Sequence, residues 1–305
     1  IEERTSRTSR ILKFSAAAGI AAGTGFIGSG ELYSKSTGYD LVAVKGGEPA
    51  AMFDKAIAEL GGIKSFVKKN QKVLVKPNIG WDVPPERGGN TNPALVKRII
   101  EHCFNAGAKE VYVFDNTCDN WKSCYSNSGI EYVAKNAGAK VVSGASEKYY
   151  SDVSVKNGKT LKSAAVHELV LESDVFINVP ILKSHGSTKL TIAMKNLMGV
   201  VWDRRFWHRN DLHQCIADYV TYNKPTLNIV DAYRVMKRNG PRGVSADDCV
   251  MLKSLVISRD IVAADAASAK IFGIEPKDVS YISLADKMGL GTMDLDKLNI
   301  KRIKM

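Results

Sequence analysis

Short runs of apolar and β-branched residues recur along most of the chain, and each is separated from the next by a stretch long enough to hold a helix. The runs are Leu41-Val-Ala-Val-Lys45, Lys72-Val-Leu-Val-Lys76, Glu110-Val-Tyr-Val-Phe-Asp115, Lys140-Val-Val142, Asp174-Val-Phe-Ile-Asn-Val-Pro180, Pro225-Thr-Leu-Asn-Ile-Val-Asp231 and Leu252 to Ser258. Helical patterns lie between or after them: Pro49 to Leu60, from Asn92-Pro93 onward, near Asn127 to Asn136, Thr188 to Met198, Leu212 to Val220, Ile261 to Phe272, and Asp278 to Lys287. Buried strands alternating with helices specify an α/β fold, a mostly parallel sheet with helices on both faces. No low-complexity tract divides residues 40–305, which favours one domain with insertions.

The helix ends carry their own signals. Asn92 reads as a cap with Pro93 in the first turn, and Leu95, Val96, Ile99, Ile100 and Cys103 make one apolar face. Gly61-Gly62, Gly107 and Gly273 follow helices, where glycine accepts the left-handed stop position. The sequence Asn-Ala-Gly-Ala-Lys occurs at Asn105–Lys109 and again at Asn136–Lys140, which reads as one helix stop used twice.

Residues 1–39 are of another kind. Arg4 to Lys13 is basic, and Phe14 to Gly28 is mildly apolar and rich in Ala and Gly, the layout of an export signal. Arg10-Ile-Leu-Lys-Phe-Ser-Ala-Ala-Ala-Gly is similar to a twin-arginine signal, with Thr8 and Ser9 where the arginine pair belongs. Read as a signal, the segment places the protein in an exported or periplasmic compartment; otherwise the protein is cytoplasmic. The other reading is an Ala-rich helix used as an anchor or for homo-oligomer assembly. The stretch is too Gly-rich for a membrane span, which needs about 20 strongly apolar residues. Ser29 to Tyr39 reads as a linker.

The formal charge is +11. The positive residues are spread thinly among acids, without a basic run interleaved with aromatics, which argues against nucleic acid and for a small anionic ligand as partner. Five cysteines occur without C-x-x-C spacing, so ferredoxin-type iron–sulfur ligation is absent. Cys103 and Cys215 fall on apolar helical patterns; Cys118 and Cys124 share a loop and can pair in an oxidising compartment.

Ligands of open parallel sheets bind beyond the strand carboxyl ends, and four strands here end in polar residues: Lys76-Pro-Asn78, Asp115-Asn-Thr117, Asn178 leading to Lys183-Ser-His185, and Asp231. The densest stretch is Lys183-Ser-His185 followed by Thr191, Lys195-Asn196 and Gly199. Lysine supplies point charge, asparagine both donor and acceptor, and histidine an exchangeable proton. Lys183, His185 and Lys195 are therefore the candidate catalytic residues. Lys76, Asn78, Asn92, Asp115, Thr191, Asn196, Asp231, Gly240 and Arg242 are the candidate ligand contacts, the last two from the turn Asn239-Gly-Pro-Arg-Gly243. A helix starting near Thr188 would add its N-terminal dipole and place Thr191 and Lys195 on one face. His208, His213 and Asp218 are candidate metal ligands, although no sharp metal-binding spacing supports them. His102 and His167 read as structural. Neither G-x-G-x-x-G after a strand nor a Walker motif is present.

Val75-Lys-Pro-Asn78, Thr91-Asn-Pro93, Asn178-Val-Pro-Ile-Leu-Lys-Ser-His185, Met194-Lys-Asn-Leu-Met-Gly199, Asp231 and Gly240-Pro-Arg-Gly243 together resemble the Domain of Unknown Function family 362, from about Leu41 to near Gly273. The lysine-x-histidine followed by lysine-asparagine is the most specific part. Members often carry an export signal or a ferredoxin-type module; the signal-like start fits, and with the cysteine motif missing a fused iron–sulfur role is not carried over. The architecture is similar to that of the nickel-pincer lactate racemase group, a fold-level likeness that implies no reaction. Three functions stay open: an enzyme using histidine proton transfer on a small carboxylate or phosphate compound, a non-catalytic cofactor-, metal- or anion-binding protein of the cell envelope, and an assembly protein using its N-terminal segment. The cofactor is unknown.

Overall fold

A computed structural model describes residues 38–305. The export-signal and anchor expectations for residues 1–39 lie outside the described residues, save the last two positions. From the first strand the elements run β1 (Leu41–Lys45), α1 (Pro49–Glu59), β2 (Lys72–Pro77), α2 (Pro93–Asn105), β3 (Glu110–Val113), α3 (Trp121–Asn127), α4 (Ile130–Asn136) and β4 (Lys140–Val141). Next come β5 (Tyr150–Ser154), β6 (Ser163–His167), α5 (Glu168–Glu172), β7 (Val175–Val179), β8 (Ile181–His185), β9 (Lys189–Thr191) and α6 (Ala193–Asn196). The chain closes with α7 (Arg204–Arg209), α8 (Leu212–Tyr222), β10 (Leu227–Met236), β11 (Cys249–Ser258), α9 (Ile261–Phe272), α10 (Ser280–Lys287) and β12 (Ile300–Lys304).

The sheet order is β12-β1-β11-β10-β7-β2-β3-β4, with the β8–β9 hairpin attached to β10. The run from β10 through β7, β2 and β3 to β4 is parallel, as is β12 beside β1. Only β11 runs against its neighbours β1 and β10 along this path, so the sheet is mixed but mostly parallel.

Side-chain alternation divides the core into two layers. Val73, Val75, Ile177, Ile229 and Ile257 point to one layer, shared with α1, α2 and α4. Leu74, Phe176, Val230 and Val256 point to the other, shared with α6, α8, α9 and α10. Helices therefore cover both faces, as the two-sided apolar strands predict. In α2 the five residues expected on the apolar face are all buried, and Asn92 Oδ1 accepts the Ala94 N–H at 2.9 Å. At about 1.5–3 kcal/mol per buried aliphatic side chain, that face holds the helix; the cap, worth about 1 kcal/mol, decides where it starts.

One helical expectation is corrected and one is trimmed. The helix near Asn127 to Asn136 is α4, starting after Gly129 at φ +72°, and a separate α3 precedes it. The helix from Thr188 to Met198 does not form: Lys189–Thr191 is β9, and only the one-turn α6 and a 3-10 turn at Leu197–Val200 follow. Extended β-branched Thr191 and Ile192 pair or pack rather than coil, and β8, expected as loop, supplies the strand they need. The β5–β6 ribbon, α5, α7 and β12 are additions that the apolar pattern did not announce.

Candidate functional site

The strand order reverses at β2. The chain goes from β2 outward to β3 and β4, then returns to β2's other side with β7 and β10. The crevice beyond the β2 carboxyl end is thus a topological switch point, where sheets of this kind hold ligands.

Alternation along β2 turns Lys76 toward the same side as Leu74, and the strand carries it fully inside. Its ammonium pairs with Asp115 Oδ1 at 2.8 Å and donates to Asn196 Oδ1 at 3.1 Å and to Pro77 O at 3.0 Å. Asp115 Oδ2 accepts the Ile79 N–H at 2.7 Å. Burial pushes the Lys76 pKa down, and Asp115 pulls the other way. Below this pair runs a line of amides. Asn196 Nδ2 donates to Asn178 Oδ1 at 2.8 Å, and Asn178 Nδ2 donates to Ala193 O and Asn228 Oδ1, both at 3.0 Å.

The β8–β9 hairpin, with Lys183 opposite Thr191, brings in the next group. Lys183 is buried; its Nζ donates to Asn78 Oδ1 at 3.1 Å and Gly89 O at 2.5 Å. Thr191 is 4% exposed, and its hydroxyl has no hydrogen-bond partner among the described residues. Buried hydroxyls are normally bonded, so this one is a vacant donor and acceptor. His185 Nδ1 accepts the Ser187 N–H at 3.1 Å, which puts the proton of the neutral ring on Nε2.

Lys195 and Asn196 stand on α6, which Asp265 of α9 starts by accepting the Ala193 N–H at 2.6 Å and the Met194 N–H at 3.1 Å. Lys195 Nζ has one polar partner among the described residues, the weakly accepting Met198 Sδ at 3.2 Å. From α7, Arg204 reaches across to the Asn116 and Thr117 carbonyls at 2.9 and 2.7 Å.

These groups line a cavity of about 370 Å³. Five cationic side chains border it, Lys76, Lys183, Lys195, Arg204 and Arg205, against one carboxylate, Asp115. Asp115 is already spent on Lys76, and among the described residues no carboxylate lies within ion-pair distance of Lys183 or Lys195. Desolvation lowers Lys183 to about 7, with Lys195 and Lys76 adding repulsion, and lowers Lys195 to about 8. Burial, with Lys195 and Lys183 adding to it, drives His185 down to about 3, so the ring is neutral near pH 7.

Of the residues expected from sequence, Lys76, Asn78, Asp115, Lys183, His185, Thr191, Lys195, Asn196 and His208 border this cavity. Others go elsewhere. Asp231 lies inside β10, not at its end, and borders a separate cavity of about 150 Å³ with Asn92. There it accepts the Asn92 and Tyr233 N–H groups at 2.7 and 3.0 Å, and burial raises it to about 6. Gly240 packs on Ser184, and Arg242 turns toward Asp119 at 3.5 Å; their neighbour Pro241 is the residue that borders the cavity. Asp218 accepts the Thr160 and Leu161 N–H groups, and His213 stacks with Tyr281. Among the described residues no three His, Cys, Asp or Glu side chains form a metal-ligating group.

Cys118 and Cys124 are both free, the first exposed and the second buried in α3. Cys118 borders the cavity, as do Arg204 and Arg205, none of which the sequence pattern singled out for a site; Asn116 and Met198, which lie within Asp115-Asn-Thr117 and Met194-Lys-Asn-Leu-Met-Gly199, border it too. In sequence Arg204-Arg205 is only a pair of charges; α7, which carries it, has no strong apolar period.

A thylakoid-associated protein of Synechocystis is 26% identical over 239 residues, spanning 76% of this chain and 72% of its own. The lactate racemase apoprotein of Thermoanaerobacterium thermosaccharolyticum overlays with a TM-score of 0.48 at 10% identity, over 77% of this chain. A Thermotoga maritima protein overlays at 0.45, also at 10% identity, over 79% of this chain. The chain spans 57% and 60% of the lengths of those two structures. Residues 73–270 match the family described as Domain of unknown function (DUF362). That match takes in the strand ends at Lys76 and Asp115, the β8–β9 hairpin and α6, and the chain belongs to this family.

Proposed function

We propose that this chain binds a small organic anion, a carboxylate or phosphate compound, in the cavity beyond β2 and acts on it by proton transfer through lysine. One observation carries the reading: Lys195, lowered to about 8 and so still mostly an ammonium near pH 7, is buried and, like Lys183, has no carboxylate partner among the described residues. A buried ammonium costs several kcal/mol unless it is paired, and a ligand anion supplies the missing charge. The vacant Thr191 hydroxyl adds a donor to the same ligand. Histidine is the weaker proton carrier here, since His185 is neutral with Nδ1 occupied; it serves as an Nε2–H donor. Lys183 and Lys195 border the cavity and are lowered to about 7 and about 8, the range a general acid or base requires.

Isothermal titration calorimetry at pH 6.5 with inorganic phosphate, pyruvate and citrate tests this. At least one anion should bind, and Lys195→Met should weaken it about tenfold or more, since a hydrogen bond to a charged group is worth about 1.5–3 kcal/mol. Unchanged affinity in a folded Lys195→Met protein, or no binding by the parent, would overturn the reading.

A further inference from the structure

We propose that Lys183 is a nucleophile that forms a Schiff base, and that the cavity accepts a small carbonyl compound bearing an anionic group. The inference rests on the anion reading above and names the substrate class for it.

The amide network decides the matter for Lys183. An ammonium can only donate, so the atom of Asn196 that meets Lys76 Nζ is Oδ1. At the far end Asn178 meets the Ala193 carbonyl, which can only accept, so that atom of Asn178 is Nδ2. Both ends agree on the orientation of Asn196 between them. Asn196 Oδ1 then takes the Asn78 Nδ2 hydrogen at 3.0 Å, which leaves Asn78 Oδ1 facing Lys183 as an acceptor. The second partner of Lys183, Gly89 O, is also an acceptor. A neutral amine has two N–H groups and one lone pair. Two obligate acceptors take the hydrogens and hold the lone pair in a fixed direction on a side chain that borders the cavity. A desolvated lysine beside other cations is activated in this way as a nucleophile, and Lys183 at about 7 is substantially neutral at physiological pH.

The other lysines do not share this arrangement. Lys76 is held as an ammonium by Asp115. Lys195 has a thioether in place of the two acceptors, and with the vacant Thr191 hydroxyl it is placed to hold the ligand's anion.

The step balances without an outside reagent. The Lys183 lone pair attacks the carbonyl carbon, a C–N bond forms, and the C=O π pair moves to oxygen. A proton passes from nitrogen to that oxygen by way of Lys195. The nitrogen pair then forms C=N as the C–O bond breaks, and the oxygen leaves as water with a second proton from the Lys195 ammonium. Neutral Lys183, cationic Lys195 and the carbonyl compound become a protonated imine, neutral Lys195 and water.

Borohydride trapping on the full chain tests this, with pyruvate and dihydroxyacetone phosphate as carboxylate and phosphate probes and acetone as the uncharged control. One adduct per chain is expected from at least one anionic probe, located on Lys183 by peptide mapping. Acetone should label at least about tenfold less, and Lys183→Arg should abolish the adduct. Absence of an adduct from both anionic probes, or labelling that spreads over surface lysines, would overturn the proposal. The mapping needs no variant, so it stands even if Lys183→Arg fails to fold. Calorimetric binding of pyruvate without trapping would sink the nucleophile and leave the anion site; loss of binding altogether would sink both.

Discussion

A Cβ on Gly199 would lie 1.9 Å from Asp115 Oδ1 and 2.6 Å from Lys76 Nζ. The backbone there has closed on a buried ion pair, and any side chain must push the pair apart. Overpacking alone costs about 1–3 kcal/mol, and breaking a buried pair about 3–5 kcal/mol. Gly199→Ala should therefore lower the thermal midpoint sharply in a calorimetric melt. Gly186, where a Cβ would meet nothing within 4 Å, is the matched control; Gly186→Ala should change stability by less than about 0.5 kcal/mol. Equal effects at the two positions would contradict this account. The lysines were legible because a lysine ending an apolar strand needs a reason to be there. Gly199 was legible as the end of the same stretch, but its close approach to the Lys76–Asp115 pair was not, since nothing local shows which distant groups a glycine meets.

Among the elements, α6 is the least able to stand alone. It has four residues, far below the length at which a helix holds itself in water. Its first two N–H groups are taken by Asp265, 72 and 71 residues away in sequence. Asp265→Ala leaves both donors buried and unpaired, a loss of about 1–3 kcal/mol, and should also weaken anion binding because Lys195 rides on α6. Asp260 caps α9 by accepting the Val262 and Ala263 N–H groups. Its replacement by Ala should cost about 1 kcal/mol and leave anion affinity unchanged. Denaturant melts paired with calorimetric titration separate the two, and an Asp265→Ala protein that binds as the parent does would refute the positioning role. The expected helix over Thr188 to Met198 failed here for a physical reason. Its apolar spacing suits a helix, but β8 and Asp265 offer long-range pairing that a local period cannot display.

At the scale of the molecule, the unpaired lysines make stability depend on pH. Lys183 and Lys195 lose their protons near 7 and 8 in the folded chain but keep them to about 10.5 when unfolded. Between those values the unfolded state binds more protons, so stability rises with pH. Asp265, raised to about 8 by burial, has the opposite slope, but that slope ends near pH 8. Buried Cys103, Cys124 and Cys215, pushed up by desolvation, oppose this slope as pH nears 9, so the lysine share is read as a difference: from pH 8 to 9 the thermal midpoint of the ligand-free parent should rise relative to that of Lys195→Met. Parallel curves for the two proteins over this window would show that Lys195 is not desolvated. By itself the sequence determined the alternation of strands and helices and the two-sided core, and it pointed to the stretch from Lys183 to Asn196 as the candidate site, because these are written in local period and in polar residues at apolar strand ends. Only the tertiary structure decided the strand order, the separation of Asp231 from the cavity, the arrival of Arg204 and Arg205, and the neutrality of His185. Those depend on which distant groups meet and how much water they exclude, and such contacts leave no mark on the spacing of neighbours along the chain.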